Sequence, residues 1–195
     1  MVLHELFPAL IPVLTSFDKL GIAYYIGGSF SSSIHGIPRT TMDIDIVADI
    51  KRSHVDHFYQ YLQNDYYIDK DMICSALEKK SSFNIIHLGT MMKIDVFVLK
   101  DRDFDRQAFN RREPGVLDEG NRRIEYYLSS PEDIILSKLE WFKMGGGVSE
   151  RQWKDVIGVL KVQGDNLDTG YLQEWAKELK LSDLLEELLK GTNQE

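Results

Sequence analysis

Apolar and polar residues alternate along two short stretches of the chain, and each stretch predicts a β-strand. Residues 42–47 place Ile44 and Ile46 on one face, and residues 93–98 repeat the alternation. A third stretch, residues 22–26, is an apolar run of β-favouring residues and predicts another strand. Because side chains alternate across a strand, the acidic residues between the apolar ones point to the opposite face.

Apolar residues at helical spacing predict most of the remaining elements of the first half. In chain order, the predicted helices are residues 3–20, a short helix of small residues at 29–35, residues 51–63, a short helix within the ambiguous stretch 65–80, and a weakly periodic helix at 103–110. Pro8 and Pro12 each remove a backbone donor, so we expect the first helix to be broken or to begin late, and Gly21 to end it. Asp71 is predicted to cap the fourth of these helices.

Residues 82–128 contain the patterns of further strands. Residues 82–88 and 91–99 predict a hairpin, and residues 123–128 predict a strand. Pro114 and Gly115 predict a loop before that strand.

From residue 129 onward the pattern is helical throughout. Ser130 and Pro131 form a helix start, and three glycines after Met144 end that helix. Further helices are predicted over residues 149–162, 168–179 and 181–189. We therefore predict an α+β protein with a mixed core over residues 1–128 and a helical region over residues 129–195. The helical region is expected to pack on the core, since about 65 residues bury little apolar surface alone.

Composition narrows the classes of protein. A net charge of −8 argues against a protein that coats nucleic acid non-specifically, because such proteins need a basic surface. Cys74 is the only cysteine, which excludes an intramolecular disulfide and a cysteine-based zinc site. No apolar run approaches the roughly 20 residues of a membrane span, and His4 and Glu5 stand where a secretory signal carries basic residues. We expect a cytoplasmic protein.

Carboxylates on the polar faces of two strands are the main candidate for chemistry. Asp43 and Asp45 share one strand face, where they repel each other unless a divalent cation lies between them. Asp95 lies on the polar face of the later strand, and the three carboxylates converge if the two strands pair. Lys93, on the same face as Asp95, is an alternative ion-pair partner for it.

Taken in order, Gly28-Ser29, Asp43-Ile44-Asp45 and Asp95 resemble the motif of the DNA polymerase β-like nucleotidyltransferase superfamily. The resemblance covers residues 22–98. It implies a small mixed β-sheet flanked by helices. It also implies that the three aspartates are catalytic and hold Mg²⁺ or Mn²⁺, with a nucleoside triphosphate as substrate.

A glycine-rich turn, an arginine and a lysine are candidates for binding the triphosphate. The turn Gly27-Gly28-Ser29 lets the backbone approach phosphates at the start of a helix, although it serves equally as a plain strand-to-helix turn. Arg39 precedes the acids and could reach a phosphate. Lys138 occupies the position of a nucleotide-facing lysine in abortive-infection-type nucleotidyltransferases, which the segment after Ser130 resembles; a solvated lysine is the alternative.

A second pair in that helical region is open to two interpretations. Arg151 and Asp155 match a further motif of the same enzymes, and a helical salt bridge explains them equally well.

The resemblance implies transfer of NMP from an NTP to a small molecule, a protein hydroxyl or an RNA end. Small members with such a helical tail include toxins and resistance enzymes, which favours a toxin–antitoxin-type transferase with a cognate antitoxin. The alternatives are a non-catalytic nucleotide-binding or partner-binding module on the same fold, and a hydrolase that releases orthophosphate.

Overall fold

The computed structural model describes residues 6–41, 43–119 and 122–192, and for residues 117–119, 122 and 192 it describes the backbone only. These residues divide into two compact units. One lies within Met1–Gly27 and Thr40–Leu128, and the other within Gly28–Arg39 and Ser129–Glu195. The predicted packing of residues 129–195 on a core of residues 1–128 stays a prediction.

The first unit is built on a mixed sheet, and among the described residues this sheet has seven strands in the order β3-β4-β5-β2-β1-β7-β6. The strands are β1 Tyr24–Ile26, β2 Asp43–Ala48, β3 Tyr66–Tyr67, β4 Ser82–His87, β5 Lys93–Val98, β6 Glu113–Glu119 and β7 Arg122–Leu128. The pairs β2–β5 and β1–β7 are parallel, and the other neighbours are antiparallel. The predicted α+β class and the hairpin β4–β5 are confirmed.

Helices alternate with the strands along the first part of the chain, and helices make up most of the second unit. They are α1 Phe7–Leu20, α2 Gly28–His35, α3 Val55–Leu62, α4 Lys70–Lys79, α5 Asp103–Asn110, α6 Pro131–Met144, α7 Glu150–Gln163, α8 Thr169–Glu178 and α9 Ser182–Thr192. The late start of α1 is confirmed: Pro8 stands in its first turn, and Gly21 ends it in the left-handed region at φ 65°. Met42 and residues 1–5, which carry part of two predicted elements, lie outside the described residues.

Two predicted details are wrong. Pro114 and Gly115 lie inside strand β6 rather than in a loop. An edge strand tolerates the missing proline N–H, and Gly115 leaves room for the ring of Tyr126, which a Cβ would approach to 2.6 Å. Helix α4 is capped by Asp69, which accepts from the N–H of Met72, so it begins one residue before Asp71.

The alternation of β2 and β5 anchors the sheet in the core of the first unit. Ile44, Ile46, Ile94 and Val96 are fully buried, and the residues between them are half-buried. Burying each such side chain contributes roughly 1.5–3 kcal/mol relative to exposure. The apolar faces therefore fix the register that brings the acidic faces of the two strands side by side.

The second unit packs α2 against α6 and α7. At Gly36, which follows α2, a Cβ would lie 2.7 Å from the backbone nitrogen of Val159, so the close approach requires glycine. His35 ends the helix in a buried position, with its Nε2 2.8 Å from the carbonyl oxygen of Ser129. Across the described part of the chain, no helix has the length and apolar character needed to cross a membrane.

Candidate active site

The carboxylates of β2 and β5 lie on one face of the sheet. Asp45 is the register partner of Asp95 across the parallel pair, and Asp43 is the partner of Lys93. The pairing on which the predicted convergence depends is therefore present. The side chains remain accessible: 48% of the Asp43 side chain and 22% of the Asp95 side chain are exposed.

Lys93 is the positively charged partner of two of these aspartates. Its Nζ lies 2.8 Å from Oδ2 of Asp95 and 4.0 Å from Oδ1 of Asp43. The hydrogen bond to Asp95, followed by the charges of Asp95, Asp43 and Asp45, raises the pKa of Lys93 despite partial desolvation. The alternative partner for Asp95 that the sequence left open is thus the one observed.

Within the described ranges, no three His, Cys, Asp or Glu side chains form a group arranged to hold a metal ion. The predicted roles of Asp43, Asp45 and Asp95 as metal ligands and catalytic groups stay predictions. Their chemistry still fits a hard cation: carboxylate oxygens are the ligands that Mg²⁺ prefers, and the register pair brings two of them together.

Backbone and hydroxyl hydrogen bonds hold the start of β2 in place. The N–H of Gly27 donates to the carbonyl oxygen of Asp45 at 2.8 Å, which ties the end of β1 to the middle of the acidic strand. Thr41 is buried, and its hydroxyl donates a hydrogen bond to the carbonyl oxygen of Asp43 at 3.0 Å. The two aspartates therefore project from a backbone that is anchored on both sides.

The first turn of α2 has the backbone that glycine favours. Gly28 has φ 54°, in the left-handed region. Ser29 follows and is buried, and its carbonyl oxygen accepts hydrogen bonds from the hydroxyls of Ser32 and Ser33. The assignment of Gly27, Gly28 and Ser29 to phosphate binding stays a prediction.

A buried ion-pair network centred on Asp155 connects three predicted binding residues of the second unit. Arg39 donates from Nε to Oδ1 of Asp155 at 2.6 Å and from Nη2 to Oδ2 at 2.8 Å. The same Nη2 lies 2.5 Å from Oγ of Ser29. Lys138 donates to Oδ2 of Asp155 at 2.8 Å and to Oε1 of Gln152 at 3.1 Å.

Burial makes this network electrostatically strong. The side chains of Lys138 and Asp155 are each 5% exposed, whereas that of Arg39 is 26% exposed. Burial alone raises the pKa of Asp155, but hydrogen bonds from Arg39 and Lys138 outweigh it and hold that pKa below its usual range. The hydrogen bond to Asp155 raises the pKa of Arg39. Lys138 is therefore buried rather than solvated.

The central position of Asp155 was not predicted. The sequence left two interpretations of Asp155 open, a motif shared with Arg151 and a helical salt bridge to it, whereas its observed partners Arg39 and Lys138 come from other segments of the second unit. One signal was available: Asp155 directly precedes Val156 and lies four residues before Val159, both fully buried, so it shares the buried side of α7. An acid on such a face needs a cation.

Comparisons with known proteins show similarity at the level of structure alone. No protein-family model matches the chain, and no curated protein matches it significantly. The lincomycin-bound crystal structure of the lincosamide antibiotic adenylyltransferase LnuA has a TM-score of 0.50 and 17% identity, over 83% of this chain and 98% of that one.

The antibiotic-resistance factor ANT(2″)-Ia is similar in two structures. Its solution structure has a TM-score of 0.50 and 12% identity, over 95% of this chain and 93% of that one. Its crystal structure in complex with adenylyl-2″-tobramycin has a TM-score of 0.54 and 12% identity, over 89% of this chain and 95% of that one. With the acidic strand pair β2–β5 in place, the chain has the fold of the nucleotidyltransferases.

Proposed function

We propose that this protein is a metal-dependent nucleotidyltransferase that moves NMP from an NTP to a hydroxyl group of an acceptor. The observation that carries the proposal is the register pairing of Asp45 with Asp95, with Asp43 two residues away on the same face of β2. Three carboxylates on one half-buried sheet face repel each other, and stability alone does not explain their placement.

The acids fit Mg²⁺ or Mn²⁺, and we assign Asp43, Asp45 and Asp95 as the ligands. When bound, such ions neutralise phosphate charge and align the attacking and leaving oxygens. The half-exposed ammonium of Lys93 already meets Asp95 and Asp43 there, so cation binding exchanges one positive charge for another. Asp95 is also the group that we expect to accept the proton of the acceptor hydroxyl.

Residues of the glycine turn and the second unit are assigned to the triphosphate. Gly28 adopts the left-handed backbone conformation and has no side chain to block a phosphate from the turn. The N-terminus of α2 offers backbone N–H groups to that phosphate. Ser29 and Arg39 are held together by a hydrogen bond and add a hydroxyl and a guanidinium. Lys138, positioned by Asp155, adds a further cation.

A small molecule is the acceptor that the comparisons favour. One similar structure is a lincosamide antibiotic adenylyltransferase bound to lincomycin, and another is ANT(2″)-Ia in complex with adenylyl-2″-tobramycin, so two proteins of similar fold bind small antibiotic molecules. A protein or RNA acceptor, with a toxin–antitoxin role and a cognate antitoxin, is the alternative drawn from the sequence resemblance. A cytoplasmic location, where NTPs are abundant, belongs to the same proposal.

The test is incubation of the purified protein with each α-labelled NTP, Mg²⁺ or Mn²⁺, and a cell extract separated into small-molecule, protein and RNA fractions. The proposal predicts label in an acceptor fraction together with release of pyrophosphate. Orthophosphate release with no labelled acceptor would indicate a hydrolase, and NTP binding without turnover would indicate a non-catalytic module. A labelled small-molecule fraction supports the favoured acceptor, and label confined to protein or RNA overturns it.

A further inference from the structure

A pocket within the second unit has no part in the proposed transfer chemistry. It has a volume of about 470 Å³ and lies between the C-terminal end of α6, the first turns of α7, and α9. Pockets that bind small molecules fall between roughly 300 and 1,000 Å³. The pocket is therefore large enough for a small organic ligand.

The floor of the pocket is apolar and aromatic. The rings of Phe142 and Trp153 both line the pocket, with centroids 5.1 Å apart and a tilt of 39° between the two ring planes. Val148, which is 80% exposed, and Leu184 extend this apolar lining. Such rings attract cations over their faces as well as apolar groups.

The charged residues of the pocket leave a net negative charge. Glu150, Lys154 and Glu187 line it. Lys154 is occupied by Glu150, with Nζ 3.3 Å from Oε2. Glu187 makes no ion pair with any residue of the described chain. Among the residues that the structure describes, the carboxylate of Glu187 beside the aromatic rings therefore has no counter-ion.

From this combination we infer that the pocket binds an amphiphilic organic amine. The apolar body lies on Phe142 and Trp153, and the ammonium group meets Glu187. A second copy of this chain is a poor occupant, because each chain carries a net charge of −8 and like-charged surfaces repel. The inference does not rest on nucleotidyl transfer, since none of the residues that line the pocket is assigned to the metal ions or to the triphosphate.

Two probes of equal length separate charge from apolar contact. 4-Phenylbutylamine carries an ammonium at neutral pH, and 4-phenylbutan-1-ol is its neutral counterpart. Titrating each into the full-length protein and following the indole N–H resonance of Trp153, assigned with Trp153→Phe, measures both affinities. We expect the amine to bind about fivefold to twentyfold more tightly, the combined effect of a carboxylate contact and a cation–π contact at an exposed site.

Glu187→Gln and Glu186→Gln form a matched pair of variants. Both remove one negative charge from an exposed position of α9, but Glu186 pairs with Lys190 and does not line the pocket. Glu187→Gln should weaken amine binding about twofold to fivefold and leave the alcohol unchanged, whereas Glu186→Gln should change neither. Equal affinity for amine and alcohol, no shift of the Trp153 resonance, or equal effects of the two variants would each overturn the inference.

Discussion

Asp45 and Asp95 face each other directly across the parallel strands β2 and β5, and the ammonium group of Lys93 lies 2.8 Å from the second of them. Like charges on opposite positions of neighbouring strands destabilise a sheet. The apolar faces of both strands hold this register, since Ile44 and Ile94 are fully buried. The sheet thus keeps its acids together at an electrostatic cost that Lys93 partly offsets.

Replacing Lys93 tests that balance. In metal-free buffer, Lys93→Gln should lower the free energy of unfolding by about 0.5–1 kcal/mol, a modest value because the lysine is 40% exposed and its ion pair is screened by solvent. Added Mg²⁺ should then stabilise the variant more than the wild type, since no ammonium competes with it. Urea unfolding with and without Mg²⁺ measures both effects. A variant as stable as the wild type without metal would show that Lys93 does not balance these acids.

The network of Asp155 predicts a large effect on stability. Asp155→Asn leaves the buried ammonium of Lys138 without its carboxylate and should cost about 3–5 kcal/mol, the usual cost of removing one partner of a buried pair. Adding Lys138→Met to this variant should recover part of the loss, because it removes the unpaired charge. Urea unfolding of both single variants and the double variant gives the coupling energy. Additive effects would contradict a buried pair.

The lowered pKa of Asp155 predicts a dependence on pH. The folded pKa lies below the unfolded value of about 3.9, so the stability from this carboxylate is fully present above that pH and is lost as pH falls through the folded pKa. The difference in free energy of unfolding between wild type and Asp155→Asn should therefore shrink below about pH 4. A difference that stays constant between pH 3 and pH 6 would argue against it.

A substitution in the glycine turn tests whether Gly28 contributes to NTP binding as well as to the stability of the fold. Gly28→Val introduces a branched side chain at φ 54°, which should cost roughly 1–2 kcal/mol of stability and weaken NTP binding more than metal binding. Calorimetric titration with NTP and with Mg²⁺ measures the two affinities. Gly191→Ala, at a helical glycine with open space around its Cβ position, is the control and should leave both affinities unchanged. NTP binding as tight as in the wild type would make the turn purely structural.

Periodicity predicted the local elements well, because burial of one face decides them. The alternation of β2 and β5 gave the strands and their polar faces, and Ser130 with Pro131 gave the start of α6. Strand β6 was missed because Pro114 and Gly115 are breakers by local rules, while pairing with β7 overrides those rules at a sheet edge. The partners of Asp155 were missed because a single sequence does not show which distant cation fills a buried position.

Asp45→Asn tests the central claim most directly. The amide matches the carboxylate in size but lacks the charge that holds a divalent cation, so we predict a loss of NMP transfer of about a hundredfold or more with the fold intact. Asp49→Asn is the matched control, since Asp49 directly follows β2 and its carboxylate lies 3.6 Å from the ammonium of Lys51. With Mg²⁺ and labelled NTP, the account predicts wild-type transfer in Asp49→Asn and almost none in Asp45→Asn. Transfer by Asp45→Asn comparable to the wild type would contradict the account.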